Sequence, residues 1–106
     1  MVPRFFDELN LKNNSRTVAA GGPCNWEDGD AWAEIKDVRV EQGSVAGSCG
    51  TASTTVRNGR DRDWWLDAAS SGPFTRGPAQ ASAVATVHRT DNTTYDVPWP
   101  DDVQLH

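Results

Sequence analysis

Thr51-Ala-Ser-Thr-Thr-Val-Arg57, Asn58-Gly59 and Arg60-Asp-Arg-Asp-Trp-Trp-Leu-Asp67 form the stretch on which the fold turns. Two β-prone runs flank an Asn-Gly pair, and both residues of that pair tolerate positive φ. The expected product is a hairpin closed by a two-residue type I′ turn. Alternation in the second run puts Trp64 and Leu66 on one face and Asp63, Trp65 and Asp67 on the other. One indole therefore enters a core while its neighbour faces outward.

The same reading extends along the chain. Ala31, Ala33 and Ile35 share one side of a strand running to Glu41, and the phase then flips to Val38 and Val40. That flip predicts a bulge near Lys36-Asp37, although Trp32, Ile35 and Val38 also fit a helix. Ala79, Ala81, Ala83, Ala85 and Val87 line one face of a further strand, small enough for bulky neighbours to pack closely. Thr90-Asp91-Asn92 is a turn, Thr93 to Val97 a returning strand, and Pro98-Trp99-Pro100 its predicted end. Val103 to Leu105 can add a last edge strand. The expected class is mainly β, a small antiparallel sandwich or barrel.

The first residues read differently. Phe5, Phe6, Leu9 and Leu11 give them an apolar side, Asp7 to Leu11 has the length of one helical turn, and Gly21-Gly22-Pro23 punctuates the chain. The division predicted is an extended N-terminal arm over 1–23 and a β domain over 24–106. Adjacent exposed Phe side chains are costly in water, so the arm is expected to pack Phe5, Phe6 and Leu9 on a neighbouring chain.

Composition bounds the function. Ten Val, four Leu, one Ile and three Phe make 18 of 106 residues, a thin aliphatic core that the five Trp must supplement. The net charge of −5, with Arg57, Arg60 and Arg62 interleaved by Asp61 and Asp63, argues against a nucleic-acid partner. No stretch approaches the apolar length of a membrane-spanning helix, and the start lacks the pattern of a secretory signal. Cys24 and Cys49, alone in a small Trp-rich β chain, suggest one disulfide and an oxidising setting. Eight Arg against two Lys, with abundant Ala, Gly, Asp and Val, fit a high-GC bacterial or bacteriophage genome.

The order Gly43-x-Val45, Cys49-Gly50, Trp65, then Gly72-x-Phe74-x-x-Gly77-x-Ala79-x-Ala81-x-Ala83 resembles small β-sandwich domains of actinobacteria. The resemblance implies a fold and a provenance and carries no catalytic residues.

Searching for chemistry yields little. No nucleophile-elbow, zinc-protease, P-loop or dinucleotide motif occurs. His88 lies within a strand and His106 is terminal. Glu27-Asp28-Gly29-Asp30 is acidic but lacks the spacing of a calcium loop. Asp61, Asp63 and Asp67 are interleaved with Arg and read as surface ion pairs. No enzyme activity, cofactor or metal is expected.

The Trp residues carry what functional content there is. Trp65, beside acidic residues, and Trp99, between prolines, are the expected exposed pair, and exposed Trp marks protein interfaces or sugar-stacking platforms. The leading expectation is a structural subunit held by protein partners in an oligomeric assembly. A bacteriophage virion offers three such places, as capsid decoration, head or tail component. The alternative is a secreted carbohydrate- or protein-binding module, and the location is accordingly virion or extracellular.

Overall fold

The computed structural model describes residues 1–106 and contains nine strands and no helix. They are β1 (Val2–Pro3), β2 (Glu8–Lys12), β3 (Thr17–Asn25), β4 (Asp30–Gln42), β5 (Val45–Ser48), β6 (Thr54–Arg57), β7 (Asp63–Ala69), β8 (Gly77–Arg89) and β9 (Thr94–Leu105). Seven of them close into a barrel in the order β3-β2-β9-β8-β4-β5-β7, with β7 returning to β3. β1 adds to the far end of β3 and β6 to the near half of β4. All pairings are antiparallel except β2 with β9, where Glu8 faces Gln104 and Leu9 faces Leu105.

Strand alternation explains most of the interior. Ala79, Ala81, Ala83, Ala85 and Val87 of β8 are buried, as their spacing predicts. The register of β4 against β8 shifts by one residue between Lys36 and Arg39, and Asp37 takes a φ of 56° there. This is the expected bulge, and it lets Ala33 and Ile35 point inward before it and Val38 and Val40 after it. The middle of the barrel is aromatic. Phe5 meets Trp64 edge-on at 5.2 Å, Trp64 meets Trp99 at 5.9 Å, and Phe5 meets Trp99 at 5.8 Å. Each such ring removes roughly 150–250 Å² from water, a transfer term of about 4–6 kcal/mol, and so offsets the scarcity of aliphatics.

Several expectations are corrected. Residues 1–23 are not an arm: they form β1, β2 and most of β3, and the 23/24 boundary falls inside a strand. Asp7 is a bend and Glu8 to Leu11 are strand, not a helical turn, because Asn10 to Lys12 pair with β3. Phe5 and Leu9 are buried in their own barrel, Phe5 against Trp64 and Trp99. β9 runs through Pro98 and Pro100, because its second neighbour, β2, reaches only Gln104 and Leu105 and the missing N–H groups fall on an open edge.

The chain does turn at Asn58-Gly59, but only Gly59 takes a positive φ, 83°, so the turn is not the expected type I′, and it does not close a two-stranded hairpin. β6 pairs with β4 and β7 pairs with β3. Asn58 is drawn to β4: its amide donates to Ala31 O and its Nδ2 to Asp30 O at 2.8 Å. The Asp61 carboxylate accepts from the Arg57 amide at 2.8 Å. The turn is a corner that carries the chain from one wall of the barrel to another.

The disulfide is absent, and both thiols are free. The Cys24 amide donates to Arg62 O beside the start of β7, whereas Ser48, just before Cys49, faces Ala69 at its end. Those points lie about 20 Å apart along β7, against the ~7 Å limit for a bridged pair. Burial, followed by the Asp63 and Asp61 charges, pushes the Cys24 thiol up to about 11.

Candidate functional site

Trp65 is the largest exposed apolar side chain, at 56% exposure. The pleat of β7 that sends Trp64 inward sends Trp65 outward, and β3 supplies its floor. Gly21 is the cross-strand partner of Trp65. A Cβ built on Gly21 would lie 2.4 Å from Trp65 Cε3 and 2.8 Å from Cδ2, so the indole rests directly on the Gly21 backbone. On the other side of β3, the Phe6 amide donates to Gly21 O at 2.9 Å. The Phe6 ring meets the indole at 5.3 Å with a tilt of 38°. Phe6, Gly21 and Trp65 thus form one apolar strip across three neighbouring backbone segments.

Polar residues bracket the strip in the adjacent rows. On one side, the Arg4 amide donates to Pro23 O, and Pro23 faces Asp63. On the other, Ala19 lies between Asn10 and Asp67, and Lys12 Nζ reaches Asp67 at 2.7 Å. Arg4 is locked from within, since Trp64 Nε1 donates to its carbonyl at 2.9 Å. The inner indole therefore anchors the segment that carries Phe6.

The sequence-nominated residues divide cleanly. Phe6 and Trp65 come together on this outer wall, while Phe5, Leu9 and Trp99 come together inside. Trp99, expected to be exposed, is 8% exposed, because β9 continues through its prolines and keeps the indole in the inward phase. Its Nε1 is buried without a hydrogen-bond partner. Gly21 was missed: Gly21-Gly22-Pro23 reads as punctuation, yet it lies within β3. A Cβ on Gly22 would stand 1.7 Å from Arg4 O, so both glycines serve close approach.

Asp30 was also missed. It reads as part of a solvated acidic turn but is fully buried, accepting from the Met1 ammonium, from Tyr95 Oη at 3.2 Å and from Arg89 Nη1 at 3.1 Å. Burial pushes its carboxyl up, but hydrogen bonds from the ammonium and the Glu27 amide outweigh that and hold it below the ordinary carboxylate range. Burial and the Asp30 charge together raise the Tyr95 phenol. The only sequence signal for this role is the position of Asp30 at the start of β4.

Elsewhere, His88 stacks on Trp32 with ring centres 3.6 Å apart and planes 5° from parallel, on the β4–β8 wall. An open cleft of about 420 Å³ runs along β8 and β9 beside Glu41, Gln80, Ser82, Asp101 and Asp102. No group of three or more His, Cys, Asp or Glu is arranged to hold a metal ion. No helix is long and apolar enough to cross a membrane. Comparison with protein-family models, curated proteins and solved structures finds no match.

Proposed function

We propose that this protein is a non-catalytic binding module whose working surface is the Phe6–Gly21–Trp65 strip. The observation that carries the reading is an indole more than half exposed yet held in one orientation by the backbone beneath it and the phenyl beside it. Such a ring loses little conformational entropy on binding, the property that makes preorganised aromatics effective recognition groups. An extracellular setting belongs to this proposal, although the cysteine argument for it falls away with the disulfide. The direct test is retention of the wild-type protein and of Trp65→Ala on affinity gels carrying polysaccharides or immobilised proteins. Retention that depends on Trp65 is expected, and retention indifferent to Trp65 sinks the reading.

A second reading, a subunit of a larger assembly such as a virion, draws on the same exposed Trp, a side chain enriched at interface hot spots. It loses the support of residues 1–23, whose apolar side chains are largely spent on their own barrel. Native mass measurement separates the two. A solitary monomer favours the module, and a closed oligomer that shields Trp65 favours the subunit.

A further inference from the structure

We infer that the ligand of the Trp65 strip is a neutral glycan that stacks the C–H face of a pyranose ring with equatorial substituents on the indole. The inference rests on the binding-module reading and adds the chemical class of the ligand. Shape comes first. One face of the indole is covered by Gly21 and one edge by Phe6, so the remaining face is a flat apolar surface, not a pocket. A flat face selects a flat partner. Equatorial hydroxyls leave the two faces of a pyranose to C–H groups, and those faces lose only weakly held water on stacking.

The polar surroundings supply the second argument. Asp63 and Asp67 flank Trp65 at two residues on either side, about 7 Å away along the strand. Hydroxyls projecting equatorially from a stacked ring point outward in its plane, toward acceptors at the rim. Asn10 and Lys12 add donors at one end, and Arg4 at the other.

Charge decides between ligand classes. A cation-binding aromatic site needs an excess of carboxylate, and an anion-binding one an excess of Arg and Lys. Here the wall is balanced: Arg4 and Lys12 stand against Asp63 and Asp67, and Lys12 is already paired with Asp67. Glu8, a third acid at this edge, lies 3.9 Å from His106, whose imidazole offsets it only when protonated. An acidic protein with net charge −5 therefore holds its exposed aromatic strip near neutrality, with one carboxylate in excess among these side chains. A neutral hydroxyl-bearing ligand suits that wall, whereas a polycation meets Arg4 and Lys12 and a polyanion meets Asp63, Asp67 and Glu8.

The experiment is a charge series on one scaffold. Cellohexaose, its cationic glucosamine counterpart and its C6-oxidised anionic counterpart are titrated into the wild-type protein, Trp65→Ala and Trp65→Phe. Calorimetry and the indole N–H resonances provide the readouts. Cellohexaose is expected to bind best and to shift the Trp65 resonance. Trp65→Ala should weaken that binding by about tenfold or more, and Trp65→Phe by less. Melting curves establish that each variant is folded, and Trp65→Phe keeps the test decisive if the alanine variant is not.

Preferential, Trp65-dependent binding of either charged hexamer overturns the neutral-glycan inference but leaves the binding-module reading intact. Cellohexaose binding of equal strength in Trp65→Ala overturns both. Absence of binding by all three hexamers overturns the inference alone, since the gels carrying proteins then decide the broader reading.

Discussion

The Phe5–Trp64–Trp99 cluster and the Phe6–Trp65 pair are built from the same two dipeptides. Phe5-Phe6 and Trp64-Trp65 each send one ring into the barrel and one out of it. Composition, neighbours and backbone are shared, and only the pleat differs. Inside, Trp64 meets both Phe5 and Trp99 edge-on and its indole finds the Arg4 carbonyl, so its geometry serves packing. Outside, the rings lie side by side at a shallow tilt over a glycine and leave a face open. An apolar residue is therefore not assigned to core or surface by its chemistry. The phase of its strand assigns it, and the cross-strand residue decides what it can do there.

The comparison breaks first at Trp64. Trp64→Ala is expected to cost about 3–5 kcal/mol, because it opens a cavity at the centre of the aromatic cluster and frees the Arg4 carbonyl. Denaturant melts measure it, and a loss below about 1 kcal/mol contradicts the inner assignment. Asp30→Ala should follow at about 3 kcal/mol, since it leaves the Met1 ammonium and Arg89 without their buried counter-charge and Tyr95 without its acceptor. The same residue sets an acid limb. Its folded-state pKa lies below its unfolded one, so its stabilisation is complete above the ordinary carboxylate value and is lost as pH falls through that value and below. Asp30→Asn should flatten that limb in melts recorded against pH.

Smaller effects sharpen the contrast. Gly59→Val should cost about 1–2 kcal/mol, since a β-branched residue resists the positive φ while nothing lies within 4 Å of the added Cβ. Trp65→Ala should change stability by less than about 1 kcal/mol, in keeping with a ring whose role is outside the barrel. Reductant should shift the melting temperature not at all. Cys24 adds an alkaline signature instead. Its pKa is raised on folding, so stability present below pH 9 is lost as pH rises toward about 11, and Cys24→Ala should blunt that decline.

The legible and illegible parts of this molecule separate along one physical line. The pleat is a local property, and where the strand itself is recognisable its phase was readable: the Ala face of β8, the bulge near Asp37, and Trp64 inward beside Trp65 outward. The phase of Trp99 was not, because its prolines read as the end of β9. Pairing is non-local. Arg57 and Arg60 are neighbours across an Asn-Gly turn, yet Asn58 bonds to β4 and the two strands go to different partners. The Phe5-Phe6 run could not reveal that its second ring has a place beside Trp65, because that place is created by Gly21 on a third segment. Two cysteines 25 positions apart in sequence carried no information about the length of β7 between them.

The parallel seam between β2 and β9 gives the barrel an order of events. Leu11 N–H donates to His106 O, His106 N–H to Leu9 O, and Gln104 N–H to Asp7 O, so closure joins residues about a hundred positions apart. The β2–β3 and β8–β9 hairpins can form early and locally, but the seam waits for nearly the whole chain. Topologies dominated by such distant contacts fold on the millisecond-to-second scale. During that interval the β9 edge carries unpaired backbone beside an incomplete core. Refolding at high concentration is therefore expected to yield dimers that exchange strands at this seam, and size-exclusion chromatography of the refolded protein checks it.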